Sequence, residues 1–330
     1  MSYLLSLLDK SPIEQGKSAA EALQASVRLA IRAEELGYHR FWVAEHHNMS
    51  NLASSAPETL IAYLLARTST IRIGSGGVML QHYSAYKVAE TFNLLASLAP
   101  GRVDLGVGKA PGGFPLSTRA LQAAFDPERK PNFAAQLSDI NTYLTADPSY
   151  EGAQARPFPP VAPERYLLGA SVESALLAAE KRWELVFAGH LNGDPENLRK
   201  TFEAYERASA GKRPILALAA FAADNEEQAR ERVGNLRIVK VFLPNGQTVN
   251  VGSEEQAAEF AHQAGVTDYR IEEKVPSVLH GTAAQIHKEL DELHRRYGVK
   301  EFILDTPALA ASERLSSIEL LAKERLSLAA

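Results

Sequence analysis

The stretch Ile71-Arg72-Ile73-Gly74-Ser75-Gly76-Gly77-Val78-Met79-Leu80, followed by the helical run Ala85–Leu98 and then by Arg102–Val107, decides how the chain folds. A β-rich run, a helix with apolar residues at helical spacing and a second β-rich run form one β–α–β unit. The strand runs are apolar almost throughout. That is the pattern of strands covered on both faces, whereas a sheet with one wet face alternates.

Reading outward from this unit, the same rhythm continues in both directions. Toward the amino end, the strand Tyr3–Leu8 leads to the helix Ala19–Leu36, which stops at Gly37. The strand Arg40–Glu45 then leads to the helix Pro57–Arg67, with Pro in its first turn. Toward the carboxyl end the pairs are Arg165–Gly169 with Val172–Lys181, Glu184–Ala188 with Pro195–Ala208, and Ile215–Ala223 with Glu226–Leu236. Glu301–Asp305 with Ser312–Leu328 closes the series. Eight strand–helix units predict an α/β fold of the (β/α)8 TIM-barrel kind rather than an open doubly wound sheet. One domain over residues 1–330 is expected. Two stretches break the period: a long Pro-rich connection near 125–163, read as extended, and an insertion near 237–280. In the latter, Ile238–Val251 alternates around Pro244-Asn245-Gly246, a hairpin signal. Segments that decorate a barrel in this way shape its mouth.

Composition removes whole classes of chemistry. The 330 residues include no cysteine, which excludes disulfide scaffolds, thiolate metal sites and cysteine nucleophiles. Thirty-five Lys and Arg against 40 Asp and Glu leave a net charge of −5, and the basic residues are scattered. That is no footprint for nucleic acid and no attraction to a membrane surface. The first residues lack a basic start and a cleavable apolar segment, and no stretch is apolar enough to span a bilayer. A cytoplasmic protein is expected.

A parallel barrel carries its active site at the carboxyl ends of its strands, so the residues just past each strand are the informative ones. They are Glu45-His46-His47-Asn48, the Gly74–Leu80 run with Gln81-His82-Tyr83, Gly108-Lys109-Ala110-Pro111-Gly112-Gly113, Gly169-Ala170-Ser171-Val172-Glu173-Ser174, and Ala188-Gly189-His190. The two adjacent histidines admit a hydrogen-bonded pair, a metal site, or one imidazole aimed into the mouth as a proton carrier. Neighbouring strand residues face opposite ways, so the pair is ill placed for one ion, and no metal is expected. Ser171–Ser174 at a helix start is either a plain N-cap or an anion cradle of free N–H groups and hydroxyls. The glycines at 74, 76 and 77 fit either a bulge or the close approach of a flat ligand.

The runs Phe41-Trp42-Val43-Ala44-Glu45-His46-His47-Asn48, Ile73–Leu80 and Pro100-Gly101-Arg102-Val103-Asp104-Leu105-Gly106-Val107-Gly108 together resemble the bacterial luciferase-like flavin monooxygenases, above all their single-chain, non-luminescent branch. Gly169–Ala175 and Tyr297–Phe302 fit the same family, so the likeness runs from Tyr3 to Pro307. The resemblance implies a barrel that takes FMN as FMNH2 at its mouth and reacts it with O2, through a C4a-peroxyflavin, to oxygenate a small organic substrate. It implies His46 as the catalytic histidine and a non-proline cis peptide under the flavin ring at Gly76–Gly77. Lys109 takes the place of the basic residue near the flavin, and Ser171, Ser174 and the backbone of Val172 and Glu173 hold the phosphate. Relatives usually carry Arg at the position of Lys109, and lysine lacks the two-pronged guanidinium. The Gln81-His82-Tyr83-Ser84 segment also departs from the family pattern, on the presumed substrate side. No Gly-x-Gly-x-x-Gly fingerprint for a nicotinamide follows a strand, which favours a separate NAD(P)H:flavin reductase. A homodimer is expected, with the apolar face of Ala85–Leu98 as the candidate contact and packing on its own barrel as the competing duty. The alternatives are a non-catalytic flavin-binding protein of the same fold and a deazaflavin-dependent oxidoreductase.

Overall fold

The computed structural model describes residues 3–126, 128, 130–145, 147, 149–189, 194–308 and 310–329, with side chains up to 326. In chain order the first half holds β1 (Leu4–Asp9), α1 (Ala19–Glu35), β2 (Arg40–Val43), α2 (Pro57–Arg67), β3 (Arg72–Ser75), β4 (Val78–Met79), α3 (Ala85–Leu98), β5 (Val103–Gly108), α4 (Pro115–Leu121), α5 (Phe133–Leu144), β6 (Glu164–Gly169) and α6 (Val172–Lys181). The second half holds β7 (Glu184–Ala188), α7 (Pro195–Ala208), β8 (Ile215–Ala222), α8 (Glu226–Gly234), β9 (Ile238–Phe242), β10 (Thr248–Val251), α9 (Glu254–Gln263), β11 (Arg270–Lys274), β12 (Val278–Gly281), α10 (Ala283–Tyr297), β13 (Glu301–Asp305) and α11 (Ala311–Ala329).

Eight parallel strands close into a barrel in the order β1-β2-β3-β5-β6-β7-β8-β13, with β13 pairing back onto β1 (Leu5 opposite Phe302). The predicted (β/α)8 architecture is therefore present. Strand alternation divides the buried residues into two sets. Leu8, Trp42, Tyr166, Val186, Ala217 and Ile303 form the cluster inside the barrel. Leu7, Phe41, Val43, Ile73, Val103 and Leu105 face the helices in one large outer core. Both strand faces are thus dry, which accounts for the near-continuous apolar runs.

The amino-terminal end of the barrel is plugged by charge. Arg40 donates to both Glu301 oxygens (2.6 and 3.1 Å), to Asp104 Oδ2 (2.8 Å) and to the Tyr166 hydroxyl (2.6 Å). Asp104, with no exposed surface, also accepts from Trp42 Nε1 at 2.9 Å and from Arg72 Nε at 3.0 Å. Each buried charge here has a partner, which is the condition under which burial is tolerated.

Three parts of the chain differ from the sequence expectation. The run 71–80 is two strands, β3 and β4, interrupted at the cis Gly76–Gly77 peptide. The long connection contains α5, capped by Asn132, whose side chain accepts from Ala135 N–H; the prolines flanking this stretch masked a good N-cap signal. The insertion is larger than a hairpin. β9 pairs antiparallel with both β10 and β11, and with α9 and Phe114 it has its own core around Val241 and Phe260. The β9–β10 connection is also longer than two residues, since Leu243 N–H donates to the Gln247 carbonyl across it. After the insertion β12 adds parallel to β8, and α10 starts on a Thr282/Gln285 capping box and ends at left-handed Gly298.

Candidate active site

Every residue singled out by the sequence within the described part lies at the carboxyl end of a barrel strand. His46 follows β2, Gly76–Gly77 joins β3 to β4, Lys109 follows β5, and Ser171–Ser174 follows β6. These strands are consecutive around the barrel, so the positions form one arc of the rim. His190 lies outside the described residues.

The two histidines separate as strand alternation requires. Trp42 and Ala44 belong to the interior cluster, so His46 continues on the inner face, half-buried at the mouth. His47 turns outward and is buried, its Nε2 donating to Glu45 Oε1 at 2.6 Å. Glu45 is wholly buried and accepts further bonds from the Tyr83 hydroxyl (2.8 Å) and the Met79 N–H (3.0 Å). Burial, with the Glu45 charge adding to it, pushes the Tyr83 hydroxyl well above its ordinary pKa. Burial, with Glu45 adding to it, also raises the Glu58 carboxyl. Glu45 therefore serves His47. Among the described residues no group of three or more His, Asp or Glu side chains is arranged to hold a metal ion.

The segment after β4 performs a duty that sequence did not reveal. Gln81 Nε2 donates to the Lys109 carbonyl (2.9 Å), and buried His82 donates through Nε2 to the Pro111 carbonyl (2.8 Å). His82 Nδ1 accepts from Gln122 at 2.8 Å, and burial lowers the pKa of the imidazole. The His47 N–H meanwhile donates to the Gly112 carbonyl at 2.7 Å. Gln81, His82 and Tyr83 thus tie the rim loops together. Lys109 is exposed, its backbone held by Gln81.

The glycines are required by neighbouring protein. A Cβ on Gly74 would meet Asp104 Cβ at 2.5 Å, one on Gly76 would meet Leu8 Cδ1 at 2.6 Å, and one on Gly77 would meet the Gly106 carbonyl oxygen at 2.8 Å. Strand-to-strand crowding explains the run without invoking a ligand. By alternation from the Trp42–Tyr166 layer, Gly108, Ala188 and Ala219 lie on the inner face above it, with buried Phe221 next along β8. Just past β6 the Ser171 hydroxyl accepts from Ser174 N–H (3.2 Å) and lies 3.1 Å from the Ser174 hydroxyl. The α6 start is a true N-cap. Its first amides, Val172 and Glu173, are at positions with no carbonyl inside the helix to bond.

A luciferase-like monooxygenase profile matches residues 1–300 of the chain. The chain belongs to the luciferase-like monooxygenase family. An N-acetyl-S-alkylcysteine monooxygenase of Bacillus subtilis (strain 168) is 46% identical over 327 residues, covering 96% of each chain. Two solved structures share the fold of this luciferase-like enzyme. One is the oxygenating constituent of 3,6-diketocamphane monooxygenase from Pseudomonas putida, in complex with FMN (TM-score 0.70, 19% identity, 98% of each chain). The other is an F420-dependent secondary alcohol dehydrogenase with an F420-acetone adduct (TM-score 0.66, 17% identity, 97% of this chain and 99% of that one). The luciferase-like fold therefore accommodates both flavin and deazaflavin cofactors. No helix among the described residues is long and apolar enough to cross a membrane.

Proposed function

We propose that this enzyme is the oxygenating component of a two-component system. It takes FMNH2 from a separate NAD(P)H:flavin reductase and uses O2 to oxygenate a small organic substrate, as a cytoplasmic homodimer. The observation that carries the reading is the arc of His46, Gly76–Gly77, Lys109 and Ser171–Ser174 on consecutive strand ends. The residues present fit FMN: the α6 start offers free amides and two hydroxyls for a phosphate. Reduced FMN supplies the two electrons with which one oxygen atom goes to the substrate and the other leaves as water. The protein's part is to hold and protect. Ser171, Ser174 and the N–H groups of Val172 and Glu173 donate to the phosphate, aided by the helix dipole. The Gly76–Gly77 backbone supports the ring, and Lys109 adds positive charge at the rim. The His46 ring holds or passes a proton at the reacting centre.

The name of the Bacillus relative makes thioether amino-acid derivatives the first substrates to try. Photoreduced FMN, 18O2 and a panel of N-acetyl-S-alkylcysteines test the reading directly. One labelled oxygen in the product is expected. Flavin oxidation that yields stoichiometric hydrogen peroxide and no labelled product would overturn it. The F420 neighbour favours one second reading, a deazaflavin-dependent oxidoreductase, which the flavin retained through purification distinguishes.

A further inference from the structure

Outside the arc, the mouth carries one ion pair that nothing above uses. Lys10 Nζ lies 2.5 Å from Asp305 Oδ2, the carboxylate almost buried (8% exposed) and the lysine a third open (32%). Both side chains face the barrel interior. Ser6 bonds interior Glu301, and Leu8 lies in the interior cluster, so Lys10 continues the inner face of β1. Asp9, between them in phase, turns out to Ser26 and Arg314 on the surrounding helices. On β13, Glu301 and Ile303 are interior, and Asp305 follows them.

Three features give this pair a direction and a place. The buried partner is the carboxylate, so a molecule entering the mouth meets the ammonium first. Asp305 uses one of its three N–H donors, which leaves the others for an acceptor. In the closed eight-strand order, β1 lies four strands from β6 and β13 four strands from β5. The ion pair is therefore diametrically opposite the α6 start and Lys109, the basic and N-terminal groups that would take a phosphate. It borders His46 instead: Asp9 pairs with Val43, and continuing that register sets Lys10 level with Ala44. Strand spacing and rise then put the Lys10 and His46 backbones about 8 Å apart.

We infer that Lys10, oriented by Asp305, is the anchor for a substrate carboxylate. The substrates it selects are short organic acids whose oxidised atom lies a few bonds from the carboxylate. This rests on the monooxygenase reading for the reaction, while the anion recognition itself follows from the ion pair alone. The group is a specificity determinant that touches substrate away from the reacting atoms.

The test pairs N-acetyl-S-benzylcysteine, 3-(methylthio)propionate and benzoate with their methyl esters. Binding to the full-length protein is measured by calorimetry, and turnover with photoreduced FMN and O2. The wild type is expected to prefer at least one acid over its ester about 30-fold, because hydrogen bonds to charged groups are worth the most. Lys10→Met should bring that ratio close to one, through KM more than kcat, and Lys10→Arg should restore most of it. If Lys10→Met unfolds, K10M/D305N removes both charges together and serves the same comparison. Equal handling of acid and ester by the wild type, or an acid preference that survives K10M, overturns the anchor. Acid-selective binding with no oxygen transfer supports the anchor while sinking the monooxygenase reading.

Discussion

The two ends of the barrel are built from the same strands and solve opposite problems. At the amino-terminal end Arg40, Arg72, Asp104, Glu301 and Tyr166 fill the bore with charges that satisfy one another. At the carboxyl end small residues such as Gly108, Ala188 and Ala219 follow the inner face, with His46 and the Lys10–Asp305 pair around them. One end spends its polar groups on closure, and the other leaves them facing an opening. A barrel can vary the second without unfolding only because the first is fixed.

Breaking the plug should have the largest effect on stability. Asp104→Asn leaves two guanidinium groups short of a partner in a fully buried setting. A loss of about 3–5 kcal/mol is expected, read as a lower urea midpoint at unchanged slope. His46→Asn should do the reverse. The side chain is half-buried and no part of the plug, so stability should stay within about 0.5 kcal/mol. Turnover should fall about 10²–10⁴-fold with FMN binding kept, measured by product formation and flavin fluorescence. Equal losses of stability and turnover in either variant would erase the contrast between the two ends.

Gly106→Ala probes the boundary between the regions. Its new Cβ would overlap the Ser75 carbonyl oxygen, which is backbone and cannot turn aside. A cost of about 1–3 kcal/mol is expected, with a smaller fall in activity than at His46. The smallest effect belongs to His82. Its folded-state pKa lies below the ordinary 6.5, so the unfolded chain binds the proton more readily. The stability this group contributes is present above that value and is lost as pH falls below it. Wild-type protein should lose stability to this group as pH falls from 7 to 5, and His82→Gln should show a flatter profile in urea titrations.

The sequence made the barrel legible because a strand dry on both faces has a distinctive composition, and all eight such runs fell where the strands are. At the rim the residues alone left His46 and His47 open, and the resemblance pointed to His46; only the observed inner face of Trp42 and Ala44 separates the two. What stayed hidden has two physical causes. Arg40, Asp104 and Glu301 stand singly within apolar runs, and a charge in a doubly buried strand is itself the signal of an interior network. Lys10 and Asp305 are 295 residues apart and meet only when the barrel shuts; no local pattern encodes that neighbour. The helix α10 was missed despite its Thr282-x-x-Gln285 start and Gly298 stop, because it falls after an insertion that had already broken the period.

That closure bears on how the chain is made. Ser6 with Glu301, Lys10 with Asp305, Asp9 with Arg314 and Arg32 with Glu319 stitch the first strand and helix to the last. On a ribosome, β1 emerges early and must wait for β13 before its open edge is covered. Through most of synthesis the nascent protein exposes one unpaired strand at each end of a growing sheet, the condition in which parallel folds are slow and prone to aggregate. The seam that completes the mouth is thus also the one that covers these edges: until β13 pairs with β1, both strands keep a row of unpaired backbone groups.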